Sequence, residues 1–304
     1  MSPARGQRRA AFALALGGAL AAAGGEARTP APASGTAAGV PADATPEQTR
    51  IMRTIPVEFH ESIALAETFG RLMFAHDRAA WLATELVGAR KLRKLKGGEG
   101  WLITDLEEAQ FRVTWFGQVD GERRALLDID VDVPAWKALP DTERWHKTGR
   151  PLTDEELALA RAQRDAVGRE WLRCSNGYNT VSFPVTDDEH RMIHVYLLAG
   201  DTDDTPVHLG GDHRFRYEAD GATLIDAFSN TNSCINHPPR KGKKKDGEAL
   251  MVTHLKSPAP TEFHFFRMLN YRLPIYVMTV DNRMIWIAES TGFRIVDDGK
   301  GKTD

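Results

Sequence analysis

The chain has 304 residues, 42% of them hydrophobic and 27% charged, with a formal net charge of −3 at pH 7. That mixture sustains one large core or two small ones and excludes a chain that stays unfolded for want of apolar residues. An acidic balance also argues against nucleic acid as a partner, because phosphate binding draws on an excess of Lys and Arg.

The first 23 residues carry Arg5, Arg8 and Arg9, then an Ala/Leu/Gly-rich apolar run with Phe12, then small residues ending at Ala23 or at Ala27. A positive head, a short apolar middle and a small-residue end predict a bacterial secretory signal peptide. The run is too short to be a comfortable membrane span, so the mature chain is expected to have none. The pair Arg8-Arg9 fits twin-arginine export, with the Sec route equally or more fitting. Cleavage removes three cations and no acid, taking the net charge from −3 to −6. A periplasmic or secreted location follows. Residues 28–48 are Ala, Pro, Thr and Gly with almost no large apolar side chain, and this composition predicts a disordered tether.

The folded part is expected to be α+β: N-terminal helices plus a β-hairpin over 54–150, then a mixed β-sheet with one or two packed helices over 151–297. A frayed tail over 298–304 follows. Residues 56–94 have Leu65, Phe69, Leu72, Met73, Trp81, Leu82 and Leu86 at helical spacing, ending in cations before Gly97-Gly98. His60 and His76 read as surface or boundary residues of that helix. Asp120-Gly121 between two alternating runs predicts a hairpin. Asp128, Asp130 and Asp132 share one face of its second strand and read as a solvated face rather than a calcium site. Residues 136–150 read as irregular. Thr153 and Glu156 form a capping box that opens a helix to about residue 173, with Leu157, Ala160, Arg161 and Arg164 on its outer side.

Strands are expected at 179–185, 192–199, 212–219 and 223–228, the last two joined by Asp220-Gly221. A basic loop, Arg240 to Lys245, then reads as a solvated tip that could touch an anionic surface. A strand over 249–254, a helix over 261–270 and strands over 275–280, 284–288 and 293–296 complete the pattern. Two cysteines in an exported chain predict one disulfide, Cys174 to Cys234.

Seven of the ten histidines follow residue 189. His254 ends a strand and His264 lies on the first turn of the next helix, so both imidazoles fall at one strand-to-helix junction. Zinc takes three neutral imidazole or carboxylate ligands and an open position for catalysis, and His254 and His264 are the candidate metal ligands. Glu262 is the candidate proton acceptor and Thr261 the candidate oxyanion donor.

The order of strand, His254, Pro-rich turn, Thr261-Glu262-Phe263-His264, then Leu273-Pro274-Ile275-Tyr276-Val277-Met278-Thr279 and a hairpin resembles the core of the JAB/MPN metallopeptidases over residues 190–296. That family binds zinc through a His-x-His pair and a Ser-x-x-Asp and hydrolyses peptide or isopeptide bonds. The resemblance puts His254 at the first histidine, Thr261 at the serine and His264 at the aspartate. Lys256 stands where the second histidine belongs, and the turn is shorter, which implies an altered site. The segments Cys174-Ser175, Tyr178-Asn179-Thr180-Val181, Gly210-Gly211-Asp212-His213-Arg214-Phe215, Ser233-Cys234 and Thr261-Glu262-Phe263-His264 also resemble a group of exported bacterial proteins with no known activity. The leading expectation is a non-enzymatic periplasmic domain that binds an unknown envelope protein or other envelope component. Its alternatives are a zinc-dependent hydrolase, peptidase or amidase, and an accessory protein on a JAB-like scaffold.

Overall fold

The computed structural model describes residues 52–106, 110–187, 189–200, 206–238 and 248–296. The signal segment, the tether, the basic loop 240–245 and the tail 298–304 lie outside the described residues.

A long helix, α1 (His60–Val87), runs through the molecule. It stops at Gly88, whose φ of 77° takes it out of the helix, and a separate turn, Ala89–Leu92, follows. The expected continuous helix to residue 94 therefore breaks earlier, because a glycine at this position ends the hydrogen-bond ladder at low steric cost. The N-terminal sheet follows: β1 (Gly98–Asp105), β2 (Gln110–Val119) and β3 (Glu122–Asp132), with β4 (Arg144–Pro151) paired to β3. Asp120 and Gly121, at φ 52° and 83°, make the predicted two-residue turn between β2 and β3. Residues 136–150 contain a strand rather than only irregular chain; in β4 neither apolar alternation nor β-branched content beyond Thr148 announces it.

The second helix, α2 (Asp154–Gly168), opens on the Thr153/Glu156 capping box as its sequence predicts and ends five residues short of residue 173. A four-stranded antiparallel sheet comes next: β5 (Tyr178–Asp187), β6 (His190–Ala199), β7 (His213–Glu218) and β8 (Leu224–Ser229), in the order β8-β7-β6-β5. Cys174 and Cys234 are bonded, joining the chain ahead of β5 to the segment after β8. The last sheet holds β9 (Leu250–His254), β10 (Ile275–Thr279), β11 (Met284–Glu289) and β12 (Gly292–Val296), and Met52–Arg53 pairs with the outer side of β12. Strands β9 and β10 are parallel, and α3 (Glu262–Tyr271) connects them. A parallel pair needs such a crossover, and this one sets α3 against a single face of the sheet.

Three parts of α1 serve three cores. Ile63 and Ala66 join Val252, Ile275 and Trp286 of the last sheet. Met73 packs among Phe183, Tyr196 and Phe263. Ala79, Leu82 and Val87 cover Val113, Leu127 and Ile129 of the first sheet. Helix α2 fills the space between Leu102 and Phe116 on one side and Val195 and Phe215 on the other. His76, expected at the surface, is buried, with its ring between Phe111 and Phe183 at 5.1 and 5.2 Å. The alternation that marks a helix face cannot show that the opposite face is also covered. Among the described residues no helix is long and apolar enough to cross a membrane.

Helix α1 meets α3 at Gly70, where an added Cβ would lie 2.7 Å from the Phe265 Cβ and 2.9 Å from the Glu262 carbonyl oxygen. Gly70→Ala raises helix propensity by about 1 kcal/mol, whereas overpacking against backbone costs about 1–3 kcal/mol. The clash is expected to win, and urea denaturation should show a lower midpoint for the alanine variant. A higher midpoint would mean that the two helices can separate without loss.

Candidate functional site

Alternation along β9 places Leu250, Val252 and His254 on the covered face and Met251 and Thr253 on the other. His254 therefore ends the strand pointing inward, at the mouth of the crossover to α3. Thr261 caps α3, and His264 occupies the third helical position, where a capping box ordinarily carries Glu or Gln. His264 fills that role with its ring: Nδ1 accepts the Thr261 backbone N–H at 3.0 Å. The two imidazoles meet edge to face, ring centroids 4.8 Å apart at 88°. The structure thus brings His254, His264 and Thr261 together.

The hydrogen bonds fix the protons on both rings. Ser257 Oγ spends its hydrogen on the Ala259 carbonyl at 2.6 Å, so its contact with His254 Nε2 at 2.8 Å is made by the imidazole N–H donating. His254 then has a bare Nδ1. His264 is the reverse: Nδ1 is the acceptor, so the neutral ring carries its hydrogen on Nε2. His254 Nδ1 and His264 Nε2 are both buried with no partner among the described residues. Burial pushes the pKa of His254 down to about 4, with Lys256 adding to the shift and Asp281 opposing it. Burial, reinforced by His254, holds His264 well below the ordinary imidazole range. Both rings are neutral at pH 7.

This proton arrangement bears directly on zinc. A ligating imidazole normally donates its second ring N–H to a carbonyl or carboxylate, which leaves the first nitrogen bare for the metal. His254 meets that condition at Nδ1. His264 does not, because its Nδ1 receives a backbone N–H and its Nε2 retains a hydrogen. Among the described residues no group of three His, Cys, Asp or Glu is placed to hold a metal. Lys256 is exposed. Glu262 Oε1 accepts from Arg214 Nη1 at 2.7 Å, and Thr261 Oγ1 donates to Asn230 Oδ1 at 2.9 Å. Both candidate catalytic groups thus hold α3 to the middle sheet, and the residues do not fit a zinc centre.

The imidazole pair is a source of acid sensitivity. Because the folded pKa of His254 lies below its unfolded value, the unfolded chain binds the extra proton, and stability falls as pH drops from about 6.5 to about 4. The loss from this one ring is about 3 kcal/mol. Wild type should lose about that much more than His254→Gln between pH 7 and pH 4 in urea titrations; parallel pH curves would place His254 in water.

A second polar constellation was not legible as such. Asp128 and Asp130, expected on a solvated face, are buried. Asp128 accepts from Thr114 Oγ1 at 2.7 Å, from Arg150 Nε and Nη2 at 3.0 Å each, and from His146 Nε2 at 2.9 Å. Arg112 forms a two-point pair with Asp130 at 2.7 and 3.0 Å. Arg112, Asp128, His146 and Arg150 line an open cleft of about 530 Å³. The correction has a simple cause: β4 pairs antiparallel beside β3 and supplies Arg144, His146 and Arg150 to this face. A histidine oriented by a carboxylate can serve as a base. Here its neighbours are ion pairs, and the Thr153 hydroxyl caps α2, so the cluster works to lock β4 onto β3.

Fold and site together define an α+β protein with one internal disulfide and a buried, hydrogen-bonded histidine pair. Comparison with protein-family models, curated proteins and solved structures finds no match to this chain.

Proposed function

We propose that this chain is an exported, non-enzymatic binding or accessory domain of the bacterial cell envelope that meets its partner through the uncovered face of the last sheet. The carrying observation is a run of exposed apolar side chains on that face and at its adjoining strand ends: Met251 is 64% exposed, Leu255 57%, Val280 43% and Met278 41%. Strand register sets Met251 beside Tyr276 and Thr253 beside Met278, so the apolar residues come from adjacent strands. The opposite face is covered by α3 and α1, and apolar clusters left in water mark contact surfaces. A disulfide suits an oxidising compartment.

Site-specific photo-crosslinking tests this reading in envelope preparations. Probes at 251, 253 and 278 are expected to give the same discrete adduct and a probe at 225 none, and with the probe at 253 the Met251→Lys/Met278→Lys protein should remain folded and lose the adduct. Failure of 251 and 278 to give an adduct above the 225 control overturns the proposal. The zinc-hydrolase alternative, on a JAB/MPN-like scaffold, has in its favour the bare Nδ1 of His254. Stoichiometric zinc on untagged protein, lost in His254→Ala, would replace the binding-domain reading with it.

A further inference from the structure

Sulfur is the most easily oxidised atom in this chain, and burial decides which sulfurs an oxidant can reach. Both cysteines are joined in the Cys174 to Cys234 bond, so no free thiol competes. Among the described side chains Met73, Met192 and Met268 are buried, at 7% exposure or less, and Met284 is half-buried against the core of the last sheet. Met251 and Met278 are different: 64% and 41% of their surface meets water.

These two thioethers also share a surface. Met251 lies on β9 and Met278 on the adjacent β10, both on the uncovered face of the last sheet, and the register places Thr253, the next β9 residue on that face, beside Met278. Leu255 and Val280, the other exposed apolar residues there, offer a peroxide no sulfur to attack. Oxygen transfer is therefore directed to the exposed apolar patch, and the cores beneath it are spared.

We infer that Met251 and Met278 form a reversible oxidation site, with hydrogen peroxide as the oxidant, that switches this face between apolar and polar. A sulfur lone pair attacks one peroxide oxygen, the O–O bond breaks, and the departing hydroxide takes the proton of the transferred hydroxyl. The products are a sulfoxide and water; sulfur gives up two electrons and the peroxide gains them. Because both side chains stand in water, the fold is left intact while a flexible apolar surface acquires two S=O acceptors. A partner fitted to the thioethers must then desolvate those oxygens, and binding weakens. This release rests on the reading of the face as a contact surface, whereas the oxidation does not. Methionine sulfoxide reductases, one for each sulfur epimer, restore the thioethers.

Treating the full chain with hydrogen peroxide, removing the peroxide and mapping oxygen by proteolysis and mass spectrometry tests the site. Met251 and Met278 should each gain one oxygen at least about tenfold faster than Met73, Met192 and Met268, with the thermal midpoint nearly unchanged. Added to envelope preparations, the oxidised protein with the photo-probe at 253 should give about tenfold less adduct, and treatment with reductases for both epimers should restore it. Equal rates at buried and exposed methionines, or full adduct from protein oxidised at both positions, would overturn the inference. No adduct from untreated protein overturns the contact reading and with it the release, while the rates alone decide the oxidation site.

Discussion

Asp212→Ala is expected to cost about 3–5 kcal/mol, a large part of the roughly 5–15 kcal/mol that holds a domain folded. The carboxylate is fully buried beside the Arg267 guanidinium, at 0% and 2% side-chain exposure. Asp212 accepts from Arg267 Nε at 2.8 Å and from the Ala199 N–H at 2.9 Å. Arg267 also donates to the Ala199 carbonyl at 3.0 Å and to the Tyr271 hydroxyl at 3.2 Å. These contacts tie α3 to the end of β6 and to the chain entering β7. Removing the acid takes the Asp212 carboxylate away from a guanidinium held in the interior, and the burial of charge left behind, more than the lost attraction, sets the size of the effect. Urea denaturation should show the drop at constant slope. The double replacement Asp212→Leu/Arg267→Met, which buries no charge, should recover most of it; a single-variant loss under about 1 kcal/mol would show that water reaches the pair.

Removal of the disulfide should rank beside it. Cys174 and Cys234 are separated by 60 positions, and closing a loop of that size withdraws about 4 kcal/mol of chain entropy from the unfolded state. The bond also anchors a stretch with few other attachments: the Cys174 N–H donates to the Tyr178 hydroxyl at 2.7 Å, and the Leu172 carbonyl contacts His213 Nε2 at 2.8 Å. Cys174→Ala/Cys234→Ala and reduced wild type are expected to unfold at the same, much lower urea concentration. If oxidised wild type matched them, the link would contribute nothing to the fold.

Expectation and structure agree where the determining physics is local. The Asp-Gly turn at 120–121, the Thr153/Glu156 capping box and the alternating strands on either side of α3 are each specified by a few consecutive residues, and each stands where the sequence places it. Two cysteines, read together with the expectation of an oxidising compartment, were enough to predict the disulfide that the structure holds. Disagreement gathers at positions whose environment comes from distant chain. Asp128 and Asp130 read as solvated because aspartates two apart on a strand share one face, yet the later strand β4 brings Arg144 and Arg150 to that face. His76 looked peripheral because the aromatic rings that enclose it belong to β2 and β5.

The candidate site divides along the same line. That His254 and His264 sit at one junction was readable, since a strand, a short crossover and a capped helix bring positions 254 and 264 together by backbone geometry. Where their hydrogens reside was not, because that depends on Ser257 donating to a carbonyl and on a histidine ring standing in for the glutamate of a capping box. By itself the sequence determined the type of every element with a clear period or cap, the turn positions and the pairing of the cysteines, all of which short-range sterics and solvent chemistry set; β4, which has neither, it did not. Only the tertiary structure decided which acids are buried, which imidazole nitrogen is bare and which face of the last sheet is left to water, because burial and proton placement depend on groups that folding alone brings into contact.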